Sequence, residues 1–460
     1  MDRRAFIKTF SAGTLLTGAA LAGCSPKQQT TGDSASAALG EIPTDQMTYR
    51  TGKHGERVSL LGYGCMRWPT VTGKSARDND SDIDQEEVNR LVDYAIAHGV
   101  NYFDTSPAYC KGFSERATGI ALARHPRDEY YIATKLSNFS PDTWSYKQSV
   151  NMYKRSFEYL QTDHIDFYLL HGIGMGGMDN LRGRYLDNGV LDFLLEERKA
   201  GRIRNLGFSY HGDIECFDYL LERHDIYDWD FVQIQHNYVD WHYAKQVNTR
   251  NTNSEYLYTE LEKRHIPAVI MEPLLGGRLA SLNRHSTELL KQREPQRSIA
   301  SWAFRFSGNQ PGVLTSLSGM TYMDHLQDNL RTFCPHKQLS DDELQLLEHI
   351  AQNYVSYPII PCTNCQYCMP CPYGIDIPTI FFLYNNSLNK GDIVADKTDP
   401  EYKDARRHFL IDYQRRVPRE RQADHCIGCG QCKIHCPQRI DIPAQMTRID
   451  QLAENYRRQK

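Results

Sequence analysis

The sequence predicts an α/β protein: a (β/α)8 barrel of parallel strands, followed by a smaller helical domain organised around cysteines. Three observations point there. Short apolar runs alternate eight times with amphipathic stretches between Met47 and residue 335. Side chains able to do acid–base chemistry stand at the ends of three consecutive runs. Eight of the 13 cysteines crowd between residues 362 and 436.

The strand candidates are Ser59–Met66, Val100–Thr105, Tyr130–Leu136, Ile165–His171, Ile203–Tyr210, Phe231–Asn237, Ile266–Glu272 and Gly312–Leu317. Between them, Glu86–His98, Glu115–Arg124, Ser145–Leu160, Leu191–Ala200, Ile214–Arg223 and Glu255–Arg264 repeat apolar residues at three- and four-residue spacing, the helical period. Eight strand–helix units over roughly 280 residues match the count of a closed TIM barrel. An open doubly wound sheet is the alternative, and Gly172, Gly174 and Gly177 have the spacing of its phosphate turn. The string DNLRGRYLDNG follows instead of a helix pattern, so this segment reads as a flexible loop.

The second strand ends at Asp104 and is followed by Tyr109; the third ends near Lys135 and the fourth at His171. Singly, each has a bland reading: an aspartate caps a helix, a lysine or tyrosine sits on the rim, a histidine is a satisfied core residue. In a barrel these strand ends converge on one face, the face where chemistry occurs. There the set has a logic. A carbonyl that receives hydride needs a proton on its oxygen, and a phenol with an ordinary pKa near 10 releases one reluctantly. An ammonium beside Tyr109 stabilises the phenolate, Asp104 holds that ammonium, and His171 orients the carbonyl or shares the proton.

After the barrel, Ser340-Asp341-Asp342-Glu343 has the pattern of a capping box opening a helix that runs to about Val355, before Pro358 and Pro361. Then come Cys362-x2-Cys365-x2-Cys368-x2-Cys371-Pro372 and Cys426-x2-Cys429-x2-Cys432-x3-Cys436-Pro437. The second is the bacterial ferredoxin ligand run, in which the fourth cysteine ligates the other cluster of a pair. By that rule Cys362, Cys365, Cys368 and Cys436 hold one [4Fe–4S] cluster, and Cys426, Cys429, Cys432 and Cys371 the other. Two zinc sites are the rival, but zinc ribbons space two CxxC pairs 15–20 residues apart. A disulfide framework fits such closely packed cysteines less well still. Helix-forming stretches near Ile380–Leu388 and Tyr402–Arg415 separate the runs, so residues 336–460 resemble an α-helical two-cluster ferredoxin domain. Cys65, Cys216 and Cys334 read as ordinary buried thiols.

Residues 47–335 resemble the aldo/keto reductase family, carried by FDTSPAY (103–109), ATK (133–135), YLLH (168–171), LGFSYH (206–211), VQIQHN (232–237) and EPLLGG (272–277). The resemblance implies hydride transfer between NAD(P)H and a carbonyl, with Asp104, Tyr109, Lys135 and His171 as catalytic tetrad. It further implies that Ser209 and Gln233 hold the nicotinamide carboxamide. Leu274 and Gly276 would lie in the loop approaching the pyrophosphate, and Asp328 and Asn329 near the adenine. Three positions depart from the pattern: Met271 replaces the aromatic that stacks on nicotinamide, Cys110 stands where glycine follows the tyrosine, and Gly319 and His325 replace the basic residues that pair the 2′-phosphate. NAD and NADP both remain open.

The start of the chain, MDRRAFIKTFSAGTLLTGAALAGC (1–24), resembles a twin-arginine export signal ending in a lipobox at Cys24. Residues 25–46 are small and polar, a tether with an r.m.s. span of roughly 25 Å. Lys and Arg total 53 against 57 for Asp and Glu, a net charge of −4, which speaks against a polybasic nucleic-acid binder. No run of 18 apolar residues exists, so membrane association would come only through the signal or a lipid on Cys24.

Together these readings predict an exported iron–sulfur oxidoreductase, periplasmic or in the cell envelope. It would interconvert a small carbonyl and its alcohol and exchange electrons with a redox partner protein. The alternatives are an electron-transfer or binding module whose barrel is catalytically inactive, and a cytoplasmic NAD(P)H reductase that keeps its leader.

Overall fold

The computed structural model describes residues 41–73, 82–356, 359–394, 397 and 401–458; the expected export signal, Cys24 and most of the tether lie outside the described residues. A short antiparallel hairpin, β1 (Tyr49–Thr51) and β2 (Arg57–Ser59), precedes the barrel. The eight barrel strands are β3 (Leu61–Gly64), β4 (Tyr102–Asp104), β5 (Tyr131–Leu136), β6 (Ile165–Ile173), β7 (Ile203–Tyr210), β8 (Phe231–Gln235), β9 (Ala268–Met271) and β10 (Val313–Ser318). They follow one another in order, all parallel, and β10 closes on β3.

The expected first strand is thus two elements. Ser59 pairs with Tyr49 in the hairpin and not with a barrel strand, its backbone N–H and hydroxyl being taken by the Asn101 side chain (2.8 Å) and the Leu61 carbonyl (2.8 Å). The hairpin then crosses the N-terminal end of the barrel, and Val58 joins Tyr102, Ala133, Phe167, Leu169, Phe231, Val269 and Leu314 in the barrel interior. Those side chains fill the lumen, so chemistry is confined to the open C-terminal face.

The predicted helices appear within three residues of their expected bounds, among them Gln85–Ala97, Tyr146–Leu160 and Ser254–Glu262. Their starts are capped as their sequences require: the Asp84 carboxylate accepts from Glu87 N–H (3.1 Å) and the Ser145 hydroxyl from Gln148 N–H (3.3 Å). The flexible loop expected after the fourth strand is instead built structure. A short helix, Gly177–Leu181, opens on that glycine string and passes into a π-turn, Arg182–Leu186. Its glycines take left-handed φ values and pack so close to the chain after β7 that a Cβ on Gly174 would stand 2.7 Å from the His211 carbonyl oxygen. Buried Arg184 and Tyr185 anchor the turn.

The capping box forms reciprocally: Ser340 N–H donates to Glu343 (2.9 Å), and Glu343 N–H donates to Ser340 (3.3 Å). The helix it opens, Asp341–Ser356, packs Leu347, Ile350 and Tyr354 onto the barrel's Tyr238, Leu275 and Trp302. The remaining helices, Ile377–Lys390, Tyr402–Arg416 and Ile442–Arg458, enclose a separate core that includes Ile380, Phe381, Phe409, Tyr413 and Ile449, with cysteines at its edge. Asn248 of the barrel donates to the Gln438 carbonyl (2.8 Å), tying this core to the barrel face. No described helix is long and apolar enough to cross a membrane.

Candidate active site

Asp104 ends β4, Lys135 lies in β5 and His171 in β6, so parallel register brings their side chains to one face. The Lys135 Nζ donates to both Asp104 carboxylate oxygens (2.6 and 2.7 Å) and to the Thr105 carbonyl (2.9 Å), with both side chains nearly inaccessible. Burial raises the Asp104 pKa and the Lys135 ammonium opposes that rise. The same ammonium stands 4.9 Å from the Tyr109 ring centroid. Tyr109 opens a tight turn whose next residues, Cys110 and Lys111, take left-handed φ values of 48° and 55°. That geometry explains why a glycine would suit position 110.

The Tyr109 and His171 rings meet edge-on at 5.9 Å. His171 Nδ1 is engaged by the Ser137 hydroxyl (2.6 Å) and, more distantly, by Ser106 (3.4 Å); the two serines bond each other at 2.7 Å. Burial, then the cations Lys135 and Arg184, hold its pKa well below the usual histidine range. Its neutral form is thus favoured, with Nδ1 held by the two serines. Sequence reasoning missed both serines, although Ser106 lies inside the FDTSPAY string.

Tyr109 opens onto a cavity of about 600 Å³ whose other walls include Cys110, Phe139, Arg184, Cys365, Tyr367, His435 and Arg439. Barrel and cysteine domain thus share one chamber. The ring of Phe139 lies 4.8 Å from His171 and 6.4 Å from Tyr367, a residue between two cysteines of the first run. Of these residues the sequence analysis had singled out only Tyr109, Cys110 and Cys365. Tyr367 and His435 lie inside the cysteine runs, where the spacing marks only the cysteines, and Phe139, Arg184 and Arg439 come from segments with no readable pattern.

None of the eight C-terminal cysteines forms a disulfide. A small cleft is lined by Cys362, Cys365, Cys368 and Cys436, with Ile377, Phe381, Ile440 and Ile442 as apolar walls. Burial pushes the Cys362 thiol up to about 12, with Cys365 and Cys436 adding to the rise. Cys432 has the other set around it: burial pushes it up to about 11, and Cys371, Cys426 and Cys429 contribute. The fold therefore gathers the cysteines into two sets of four. Thiols so buried fit a metal centre, because coordination to iron converts them to thiolates and removes the desolvation problem. Among the described residues no His, Cys, Asp or Glu group closes tightly enough to hold a single ion. Cys65, Cys216 and Cys334 are buried free thiols.

Residues 60–352 match the model of the aldo/keto reductase family, and residues 359–440 that of a 4Fe-4S dicluster domain. The chain belongs to the aldo/keto reductase family. Among curated relatives, protein tas of Escherichia coli is 26% identical over 357 residues, covering 65% of this chain and 96% of its own. L-galactose dehydrogenase of Arabidopsis thaliana is 29% identical over 175 residues, 37% of this chain and half of its own length. The fold is shared with a holo-form aldo-keto reductase of Bacillus halodurans (TM-score 0.52, 24% identity, 66% of this chain and 96% of that one). It is shared too with one of Klebsiella pneumoniae solved with NADPH (TM-score 0.50, 19% identity, 66% and 96%).

The residues expected from the resemblance to meet a nicotinamide cofactor are unevenly disposed. Ser209, one residue from the end of β7, and Gln233, in the middle of β8, are buried and paired in register, and the Gln233 Oε1 lacks a protein partner. An orphaned acceptor of this kind fits a carboxamide N–H. At the phosphate end, Leu274 packs against the core, and the open side of Gly276 is filled by Thr363. Asp328 accepts from the Ser298 hydroxyl (2.6 Å) and Asn329 donates to Ser318 (2.8 Å). Met271 ends β9. Gly319 lies under the side chain of Arg67, a cation near this loop that sequence reasoning had not singled out.

Proposed function

We propose that the protein interconverts a carbonyl and its alcohol in the shared chamber, with Tyr109 as the proton donor and acceptor. The observation that carries this is the Lys135 ammonium, fixed by Asp104 and set 4.9 Å from the Tyr109 ring. A positive charge there favours negative charge on the phenol oxygen as its proton leaves. Asp104 holds the ammonium and keeps it from wandering in a buried site. Neutral His171 offers a ring nitrogen not engaged by the serines, so it can position the substrate oxygen without competing as a cation.

A nicotinamide ring held at Ser209 and Gln233 supplies or accepts hydride when bound. Cys362, Cys365, Cys368 and Cys436 would hold one [4Fe–4S] cluster and Cys371, Cys426, Cys429 and Cys432 a second, which would supply single-electron exchange with a redox partner protein. Signal-like residues 1–24 support export in folded form, with Cys24 as a lipid anchor. Tyr109→Phe tests the reaction: carbonyl turnover by the iron-loaded protein should fall roughly 10²–10⁴-fold. Unchanged turnover would sink the assignment.

A second reading, an electron-transfer module with an idle barrel, is favoured by Thr363 lying against Gly276. Anaerobic titration with NADH and then NADPH separates the two. Bleaching of the iron–sulfur absorption by either supports a barrel wired to the clusters. Clusters that respond to dithionite alone support the idle barrel.

A further inference from the structure

Among the described residues, the charged side chains that line the chamber around Tyr109 are cations. Arg184, Lys111 and Arg439 line it, and no described aspartate or glutamate does. Arg184 is 2% exposed, and its hydrogen bonds go only to uncharged acceptors. These are the carbonyls of His171 (2.6 Å) and Gly172 (3.4 Å), the Asn138 side-chain oxygen (3.2 Å) and the Tyr185 phenol (2.9 Å). Its guanidinium also lies 4.9 Å from the centre of the Phe139 ring. Hydrogen bonds satisfy donors but do not neutralise a buried charge, and an uncompensated buried cation is costly.

Two more cations reach the chamber from opposite sides. Lys111 stands two residues after Tyr109 on the barrel, and Arg439 three residues after Cys436 on the cluster domain. Both occupy left-handed turns, φ 55° and 47°, that fix where their side chains start. Such a backbone conformation is uncommon for residues other than glycine.

We propose that the substrate carries an anionic group, carboxylate or phosphate, held by Arg439 and Lys111 in the field of Arg184 while its carbonyl lies at Tyr109. This rests on the carbonyl/alcohol reading and gives that reading a substrate class. Arg and Lys are the side chains that recognise these anions, Arg through paired donors. The cluster domain is then part of the specificity pocket as well as an electron carrier. The competing role for the same cations is to balance the thiolates of the nearby cluster, since Cys365 lines the same chamber.

The test is calorimetric binding to the anaerobic iron-loaded protein, using two matched pairs: pyruvate against methyl pyruvate, and dihydroxyacetone phosphate against dihydroxyacetone. The charged member of at least one pair should bind at least tenfold tighter, and the pair that shows it distinguishes carboxylate from phosphate. Arg439→Gln and Lys111→Gln, both at exposed positions, should each reduce that preference several-fold. No preference in either pair overturns the proposal, as does a preference unchanged in both variants. An Arg439→Gln protein that keeps the preference but shifts the electron paramagnetic resonance of the reduced cluster assigns the cations to the cluster instead. Tyr109→Phe should retain the anion preference while losing turnover, so failure of the substrate class and failure of the reaction are read separately.

Discussion

Thr363 lies so close to Gly276 that a Cβ on residue 276 would stand 2.5 Å from the Thr363 Cα. The barrel glycine suited to admitting a phosphate thus admits backbone of the loop that follows Cys362. Arg67, after β3, donates to the Thr363 carbonyl at 3.4 Å and grips the same residue from the other side. Any side chain at 276 must push this loop, and with it Cys362. Gly276→Ala combines that overlap with a left-handed φ of 72°, costs of about 1–3 and 1–2 kcal/mol respectively. The expected outcome is a lower melting temperature together with an altered resonance from the cluster nearest the barrel. Gly277→Ala is the control, because its φ is also positive but nothing lies within 4 Å of its Cβ position. It should lose stability from strain while leaving the cluster signal intact. Identical cluster spectra in both variants would show that the loop and the glycine are not coupled.

The Asp104–Lys135 pair is buried, and breaking such a pair by removing one partner costs about 3–5 kcal/mol, mostly for the charge left behind. Lys135→Met leaves the Asp104 carboxylate without its ammonium, in a site where burial already raises its pKa. The single variant should melt well below the parent and lose turnover. Asp104→Asn added to Lys135→Met should recover most of the stability and none of the turnover. A double variant no more stable than Lys135→Met would mean that the lysine matters for packing and not as a counter-charge.

Much of the barrel was legible because its signals are local. The run Ile203–Tyr210 sets Leu206, Phe208 and Tyr210 on one face and small Gly207 and Ser209 on the other, so all but Arg204 can be buried, and it forms β7 with the same ends. Asp104, Lys135 and His171 were legible for the same reason: strand ends in a parallel barrel face one way, whatever the loops do. The cysteine spacing likewise announces ligands within a few residues of chain. What could not be read is what depends on contacts between distant segments. Nothing local to Gly276 says that residue 363 will lie on it, and nothing in the segment 172–189 says that Arg184 will be buried behind His171. The hairpin was misjudged because Ser59 and Leu61 are both strand-like, and the Asn101 side chain that takes the Ser59 N–H lies 42 positions away.

The two cysteine sets cross between runs, Cys436 facing the first run and Cys371 the second. Single serine substitutions should therefore damage the cluster on the other run. Cys436→Ser should weaken the cluster held by Cys362, Cys365 and Cys368, the one beside the Tyr109 chamber. Cys371→Ser should weaken the one held by Cys426, Cys429 and Cys432. Iron content should fall from about eight toward four per chain in each case, and the two variants should retain different resonance signals. Retention of the same signal by both variants would rule out the crossed arrangement.

Glu115 supplies a pH test that is independent of iron. Its carboxyl is 2% exposed and accepts a hydrogen bond from the Thr134 hydroxyl at 2.6 Å. Burial raises its pKa from 4.5 to about 7, against the opposing hydrogen bonds of Thr134 and Ser156. A carboxyl with a raised native pKa binds its proton more tightly folded than unfolded. Stability therefore falls as pH rises from about 4.5 to about 7, and stays at the lower level above that. Glu115→Gln, neutral at every pH, removes this penalty, which amounts to roughly 3 kcal/mol at most. Thermal melts at a fixed scan rate should show a higher melting temperature for the variant at pH 8, and little gain at pH 5, where the parent carboxyl is already protonated. A gain of equal size at both pH values would mean that the substitution acts through packing, and that Glu115 is not carrying a buried charge above neutrality.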